Sequence, residues 1–396
     1  MSTPCPQGRQ RFKFFMEKVL IKKADRYNTQ LLLPIVHEIL SWSGVADKVS
    51  RQTKILLKPN MLNRAAPQKV VTTHPAVLDA VITALKELGA VAENITVADS
   101  SGGPESRIVL RGNYKTCGFT DITDKHGVNL YVKQSAVTVK TDGKIVKSFE
   151  LLEPAVNSDI IISLAKFKTH VMTGMSGAVK NLFGLVPGLK KAEFHMRFPD
   201  KANFADMIVD LCETVKPDLT IVDGIIGMEG DGPAGGDPRH FDMILAGTDP
   251  YSIDLSIAYM MGFERSRLPI ARAAISRGLC PSEANPGDIE GDVGVFKPIE
   301  NFKMPKSYGV TFSEQLPRAL NWATPAVERL LAPKPRINTK KCIGCGKCRD
   351  ICPQQTIAIA DGKAKINLKN CIKCFCCHEM CPAKAIDVKR NVFFNI

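Results

Sequence analysis

The sequence has no long hydrophobic run. Its longest apolar stretches, such as Ile160–Leu164, fall far short of the ~20 residues that span a bilayer. The N-terminal segment also lacks the unbroken apolar core of a secretory signal, because Lys13, Glu17 and Lys18 interrupt it, so the expected compartment is the cytoplasm. Neither a Walker nor a Rossmann glycine spacing occurs, which argues against ATP and NAD sites, and no flavin motif is visible. The composition is that of a folded protein: 44% apolar, 23% charged and 7% aromatic over 396 residues. That length exceeds one ordinary core and predicts two or three domains.

Acidic side chains are scarce in one region only. From Pro333 onward, 13 Lys and Arg face 4 Asp and Glu, a net of +9; the first 332 residues carry 40 basic and 36 acidic side chains, only +4. The basic tail also holds nine of the 13 cysteines. If eight of them are cluster thiolates, each four-iron site contributes a charge of about −2, which leaves the tail near +5. The charge therefore suits an acidic redox partner, or offsets the clusters, more than it suits nucleic acid.

Cys342, Cys345, Cys348 and Cys352-Pro353 are followed 29 residues later by Cys371, Cys374, Cys377 and Cys381-Pro382. Three closely spaced thiolates converge on one cuboidal core, while the fourth, before proline, points away and ligates the other core. This assigns Cys342, Cys345, Cys348 and Cys381 to one [4Fe–4S] cluster, and Cys371, Cys374, Cys377 and Cys352 to a second. Zinc favours paired knuckles instead, and disulfides need an oxidising compartment. Each half closes with a short β segment, Thr356–Ile359 and Ala385–Val388. The region of about 336–391 resembles the bacterial two-cluster ferredoxins. Cys376 reads as a spare thiol, and Cys5, Cys117, Cys212 and Cys280 as scattered buried hydrophobes.

Upstream, residues 1–15 read as a ragged extension, and strand and helix signals then alternate. Strands are expected at Lys18–Lys22, Lys54–Leu57, Ile95–Ala98, Val128–Val132, Ile160–Leu164, Thr220–Val222 and Met243–Leu245. Helices are expected at Thr29–Ser41, Pro75–Leu88, around Arg111–Lys125, at Phe204–Val215 and at Tyr251–Met261. Val137–Val139 and Ile145–Val146 read as a hairpin around Asp142-Gly143. The fold class is α/β, a largely parallel sheet with helices on both faces, plus a C-terminal α+β two-cluster ferredoxin-like domain. The expected division is an α/β domain over 16–300, a proline-rich connector over 301–335 with one helical stretch at Pro325–Leu331, and a ferredoxin domain over 336–396.

Open α/β sheets bind ligands beyond the carboxyl ends of their strands. Those ends carry Lys58-Pro59-Asn60, Asp99 to Gly103, the set Lys166, Lys168 and His170, then Asp223-Gly224, and finally Gly247 with Asp249. Lysines hold carboxylates or phosphates, and a buried one can act as acid or base. The glycine-containing segment Gly174–Gly184, which includes Lys180 and Asn181, could close over an anionic group at a helix start. Around Gly227–Gly236, the acids Glu229 and Asp231 join Asp223, Asp249 and Asp254; pairing with lysines and binding a cation are equal alternatives there. His74, Asp79, His195 and His240 read as isolated structural groups.

The segments ILLKPN at Ile55–Asn60, THP at Thr73–Pro75 and KFKTH at Lys166–His170 are joined by GAVKNLFG at Gly177–Gly184. VDGIIGMEGDGPAGG at Val222–Gly236 and TDPYSID at Thr248–Asp254 complete a set. Their joint order resembles the domain of unknown function 362 family, an α/β unit often fused to a two-cluster ferredoxin. The resemblance implies an iron–sulfur redox protein and brings no catalytic assignment.

The expected function is an iron–sulfur oxidoreductase of anaerobic type. Low-potential electrons, from a donor such as a ferredoxin or flavodoxin, pass through two [4Fe–4S] clusters to a small anionic substrate at the strand ends. His170, Lys58 and Lys166 are the candidate catalytic residues, with Lys58 or His170 supplying a proton. Asn60, Lys168, Lys180, Asn181, Asp223, Glu229 and Asp249 are the candidate binding residues; Lys166, Lys168 and Lys180 anchor substrate charge. The acids among them hold a cation or orient the lysines. Two alternatives are an electron-transfer subunit whose α/β domain docks a partner enzyme, and an accessory protein for cofactor or metal-centre assembly.

Overall fold

The computed structural model describes residues 16–102, 106–133, 135–308 and 333–389. The extension over 1–15 and the helical stretch Pro325–Leu331 lie outside the described residues, as do Gly103 and the end of the chain from 390. The strands of the larger unit are β1 Val19–Lys23, β2 Ile55–Pro59, β3 Ile95–Val97, β4 Asn129–Leu130, β5 Ala136–Lys140, β6 Ser148–Leu152, β7 Ile160–His170, β8 Gly174–Met175, β9 Leu219–Glu229, β10 Asp237–Gly247 and β11 Ile289–Gly291. Its helices are α1 Thr29–Trp42, α2 Pro75–Glu87, α3 Arg107–Thr116, α4 Phe119–His126, α5 Pro154–Asn157, α6 Gly177–Asn181, α7 Gly188–Arg197, α8 Lys201–Val215, α9 Pro250–Met260 and α10 Pro269–Ser276.

One nine-stranded sheet runs β11-β1-β10-β9-β7-β2-β3-β4, with β8 paired to β7. Strands buried on both faces must be apolar at every position, and β7 shows why the sheet is two-sided. Its Ile160, Ile162 and Leu164 enter the core beneath α1 and α2, while Ile161, Ala165 and Phe167 enter the core beneath α8 and α9. The sheet is parallel except at β8 and β10. Only the seven residues 230–236 join β9 to β10, too few for the crossover of a dozen or more residues that a parallel return requires.

That reversal corrects one expectation. The carboxyl end of β10 lies at the opposite edge of the sheet, with Gly247 beside Thr220 at the start of β9. Asp249 is therefore remote from the other strand ends and caps α9, accepting from the backbone N–H of Tyr251 and Ser252. Other boundaries differ locally. The hairpin's second strand is Ser148–Leu152 rather than Ile145–Val146. The helical stretch near Arg111–Lys125 divides at Cys117-Gly118 into α3 and α4. Strands β7 and β9 run on to His170 and Glu229, so Lys166, Lys168 and His170 lie within β7 rather than after it.

The smaller unit contains β12 Lys334–Ile337, β13 Ile357–Ala360, β14 Lys363–Ile366 and β15 Ile386–Lys389, with short helices α11 Lys347–Asp350 and α12 Cys376–Glu379. Strand β12 pairs antiparallel with β15, and β13 with β14. The unit packs on the larger one through Val171, which meets Phe375 and Val388. Polar ties reinforce the contact: Asn63 Nδ2 donates to the Glu379 carbonyl at 2.9 Å, and Lys384 Nζ to the Gly236 carbonyl at 3.0 Å.

Candidate functional site

The cysteine rule fixes the redox end of the site. One cavity of the smaller unit is lined by Cys342, Cys345, Cys348 and Cys381, and a second by Cys352, Cys371, Cys374 and Cys377. These are the two crossed sets expected from the spacing, each converging on one space, as two [4Fe–4S] clusters require. Backbone amides face the sulfurs. Ala364 and Ala385 donate to Cys342 and Cys381 Sγ at 3.4 and 3.2 Å, and Thr356 and Lys373 to Cys352 and Cys371 Sγ, both at 3.4 Å. Such bonds favour thiolate charge and tune cluster potential.

Between the two units lies a cleft enclosing about 720 Å³, part of it open to solvent. From the larger unit it takes Asn60, Asp99, Lys168, His170, Lys180, Asn181, Lys191 and His195; from the smaller unit it takes Ile351, Cys376, Glu379 and Met380. Cys376, read as a spare thiol, lies between the second cluster's ligands Cys374 and Cys377 and borders this space.

Below the cleft, two buried ion pairs hold the strand ends. Lys58 Nζ meets Asp99 Oδ2 at 2.6 Å and the Pro59 carbonyl at 2.9 Å. Lys166 Nζ meets Asp223 Oδ2 at 2.7 Å, while the Tyr27 hydroxyl donates to the other Asp223 oxygen at 2.8 Å. Burial lowers the pKa of both lysines, and their carboxylate partners oppose the shift. Neither Lys58, Lys166 nor Asp223 lines the cleft. Glu229 is likewise engaged elsewhere, with Arg239 at 2.9 Å. Among the sequence's alternatives for the acids, pairing describes Asp223 and Glu229.

The cations facing the cleft are different ones. Lys168 Nζ donates to Asn60 Oδ1 and to the Val71 carbonyl, each at 2.7 Å. Burial, reinforced by Lys180, brings its pKa down to about 7. A neutral amine supplies the two N–H groups these acceptors need, so either protonation state fits. Lys180 is half-buried, and among the described residues it has no hydrogen-bond or ion-pair partner; its ammonium lies 5.7 Å from the centre of the Phe183 ring. Lys191 binds the Ser100 carbonyl and hydroxyl and the Ser101 carbonyl.

His170 accepts from the Met172 N–H at Nδ1, 3.1 Å away. Burial, with Lys180 and Lys168 adding repulsion, holds its pKa well below the ordinary value. The neutral ring therefore carries its proton on Nε2, which faces Glu379 Oε1 at 3.2 Å. His195 is also kept neutral by burial, with a pKa near 3, and stacks on Phe204. Asn181 ties the floor together, donating to Ser163 Oγ at 2.9 Å and accepting from Asn60 Nδ2 at 3.0 Å.

Two glycines make the geometry possible. A Cβ on Gly184 would lie 2.3 Å from Asp99 Oδ1 and 2.5 Å from Lys58 Nζ. Gly177 has φ +49°, and its Cβ would lie 2.1 Å from Asp254 Oδ1. Asp254 accepts from the Ala178 and Val179 N–H groups. The start of α6, which the sequence suggested could receive an external anion, is thus filled by the chain's own carboxyl group.

Eight buried side-chain polar atoms have no hydrogen-bond partner among the described residues, and four of them border the cleft: Asp99 Oδ1, His170 Nε2, His195 Nδ1 and Glu379 Oε1. Leaving such groups unpaired costs about 1–3 kcal/mol each, so these four atoms make this space the candidate site. Of the sequence's candidates, Lys168, His170, Lys180, Asn60 and Asn181 border the cleft. Lys191 and Glu379, which also border it, were not singled out, and His195 was read as a structural group. A carboxylate lying inside a cysteine-cluster loop was the one available signal for Glu379.

The structure thus defines an α/β protein carrying a two-cluster iron–sulfur unit. The chain belongs to the Domain of unknown function (DUF362) family, matched over residues 55–259, and carries a 4Fe-4S dicluster domain over residues 334–382. It is 30% identical over 271 residues to the Thylakoid-associated protein sll1697 of Synechocystis sp. (strain ATCC 27184 / PCC 6803 / Kazusa), covering 68% of this chain and 82% of that one. Two solved structures overlap it more loosely. The lactate racemase apoprotein from Thermoanaerobacterium thermosaccharolyticum shares 12% identity at a TM-score of 0.34, over 56% of this chain and 52% of the other. A Thermotoga maritima protein shares 14% identity at a TM-score of 0.35, over 51% of each chain. The overlap spans about half of either structure, too slight to carry an argument. Among the described residues no helix is long and apolar enough to cross a membrane.

Proposed function

We propose that this protein is an iron–sulfur reductase whose small anionic substrate binds in the cleft between the α/β unit and the second-cluster loop. The observation that carries this reading is that four buried polar atoms from both units, without a hydrogen bond among the described residues, border one space that Lys180 also lines. The clusters supply low-potential electrons one at a time, and two of them together hold the pair that a two-electron reduction consumes. Such a reduction also takes up two protons.

The chain's own groups divide the remaining work. Lys180 anchors the substrate's negative charge, because among the described residues it is the cleft lysine with no hydrogen-bond or ion-pair partner. Lys168, with its pKa near 7, is poised to give one proton at working pH; the other comes from solvent. His170 presents its Nε2–H as a fixed hydrogen-bond donor. Lys58 and Lys166, each neutralised by a carboxylate, position the loops beneath. The electron donor is a low-potential carrier, and the setting is a reducing cytoplasm that keeps the ligand thiols free.

The test is anaerobic. With both clusters reduced, pools of small anionic metabolites are added while the EPR signal is followed. Fast reoxidation by one pool, slowed in Lys180→Ala at unchanged iron content, supports the reading. If no pool reoxidises the clusters but a partner protein does, the cleft is a docking face and the reductase reading fails.

A further inference from the structure

A second groove runs along the boundary between the units, beside the first cluster. Arg64, Lys69, Lys347 and Lys384 line it together with the cluster ligand Cys381, and among the described residues no carboxylate does. All four cations are exposed. Arg64 Nε donates to Thr116 Oγ1 and Lys384 to the Gly236 carbonyl; among the described residues Lys69 and Lys347 have no hydrogen-bond or ion-pair partner. On the loop of the same cluster, Ile343 is 66% exposed and Cys345 is exposed.

We infer that this groove docks an acidic one-electron carrier protein and that electrons are admitted at the first cluster, that of Cys342, Cys345, Cys348 and Cys381. Four cations without one acid repel each other, and a partner's carboxylates relieve that repulsion. Neutralising the cluster does not account for them, since backbone amides already face Cys342 and Cys381 Sγ and the four side chains lie out in solvent. An apolar contact such as Ile343 flanked by charge is the anatomy of a transient protein interface, in which charge sets encounter rate and orientation. The second cluster's loop turns toward the cleft instead, which it walls through Cys376 and Glu379. The step is a single electron passing from the reduced carrier to the oxidised first cluster, with no bond or proton changing hands. The inference rests on the reductase reading only for the onward direction of flow.

The test uses the holoprotein and a photoreduced acidic two-cluster ferredoxin as the carrier, mixed anaerobically in stopped flow. The second-order rate of cluster reduction should fall at least tenfold between about 20 and about 500 mM salt. The double variant Lys69→Glu, Lys347→Glu should be slower by about tenfold to a hundredfold at low salt, with a flattened salt dependence and a matching loss of carrier affinity in titration. Methyl viologen radical, which needs no docking surface, should reduce both proteins equally; this shows that the clusters are intact. A variant reduced by the carrier at the parent's rate and with its salt slope overturns the inference. So does a groove that takes up phosphate or citrate while the carrier fails to bind. Neither readout involves substrate, so failure of the cleft reading would appear separately, as absent turnover with methyl viologen as donor.

Discussion

His170 Nε2 lies 3.2 Å from Glu379 Oε1 across the boundary between the α/β unit and the iron–sulfur unit, yet their directions do not make a hydrogen bond and both atoms remain unpartnered. The imidazole is buried to 1% exposure and held by the Met172 N–H at its far nitrogen. A donor fixed on one side and an acceptor fixed on the other, each without a hydrogen bond among the described residues, are both free to bond one polar ligand atom seated beside them in the cleft. His170→Ala should therefore leave iron content and cluster EPR unchanged while slowing substrate-driven reoxidation by about tenfold to a hundredfold. Equal rates in variant and parent would remove His170 from the chemistry.

Lys180 and Lys166 should respond in opposite ways. Lys180→Ala removes an unpaired ammonium from the cleft; the loss of one charge-assisted contact, about 1.5–3 kcal/mol, should raise KM by about tenfold to a hundredfold and leave the melting temperature alone. Lys166→Ala instead strands the buried Asp223 carboxylate, which should cost about 3–5 kcal/mol of stability. Paired thermal melts and substrate titrations separate the two. Activity that falls in Lys166→Ala at full stability would return Lys166 to the substrate site.

These contrasts show what the sequence could and could not tell. The crossed ligand sets were legible because C-x2-C-x2-C-x3-C-P is a local device, and its spacing determines where each thiolate points. The lysines of β7 were legible as a group, since two-residue spacing keeps Lys166, Lys168 and His170 on one side of a strand. Their division was not. Whether a lysine faces a cleft or a carboxylate depends on strands far apart in sequence, as Lys58 with Asp99 and Lys166 with Asp223 demonstrate. Asp249 misled for a topological reason: a strand's carboxyl end locates a site only if the strand runs parallel to its neighbours. Glu379 and Cys376 became visible as cleft residues only once the two units were docked, because their relevance is created by that contact.

The pH dependence should follow Lys168. Burial lowers its pKa to about 7 in the folded protein, far below the ordinary lysine value, so the ammonium form fades as pH rises through 7. Substrate-driven reoxidation should be highest on the acid side and decline above pH 7, and Lys168→Met should be slow at every pH. For stability the sign is opposite. A depressed lysine pKa means the unfolded chain binds more protons, so this group's contribution is full above the ordinary lysine pKa of 10.5 and is lost as pH falls from there to about 7. A reoxidation rate that instead rose with pH above 7, in a protein whose clusters stay intact, would show that Lys168 acts as a base or not at all.

The crossed ligation makes a prediction that single substitutions cannot. Cys381 closes the cluster of Cys342, Cys345 and Cys348 although it lies in the second motif. Cys381→Ala alone should lower iron from about eight to about four atoms per chain. Adding Cys345→Ala should then cost nothing further, because both residues serve one cluster, whereas adding Cys374→Ala should remove nearly all iron. Cys376→Ala should retain the full eight, since its thiol borders the cleft and belongs to neither set of four. Iron assays on these four variants, read beside EPR, decide between crossed and uncrossed ligation. If Cys381→Ala with Cys374→Ala kept half the iron while Cys381→Ala with Cys345→Ala kept none, each motif would close its own cluster and the path from groove to cleft would have to be redrawn.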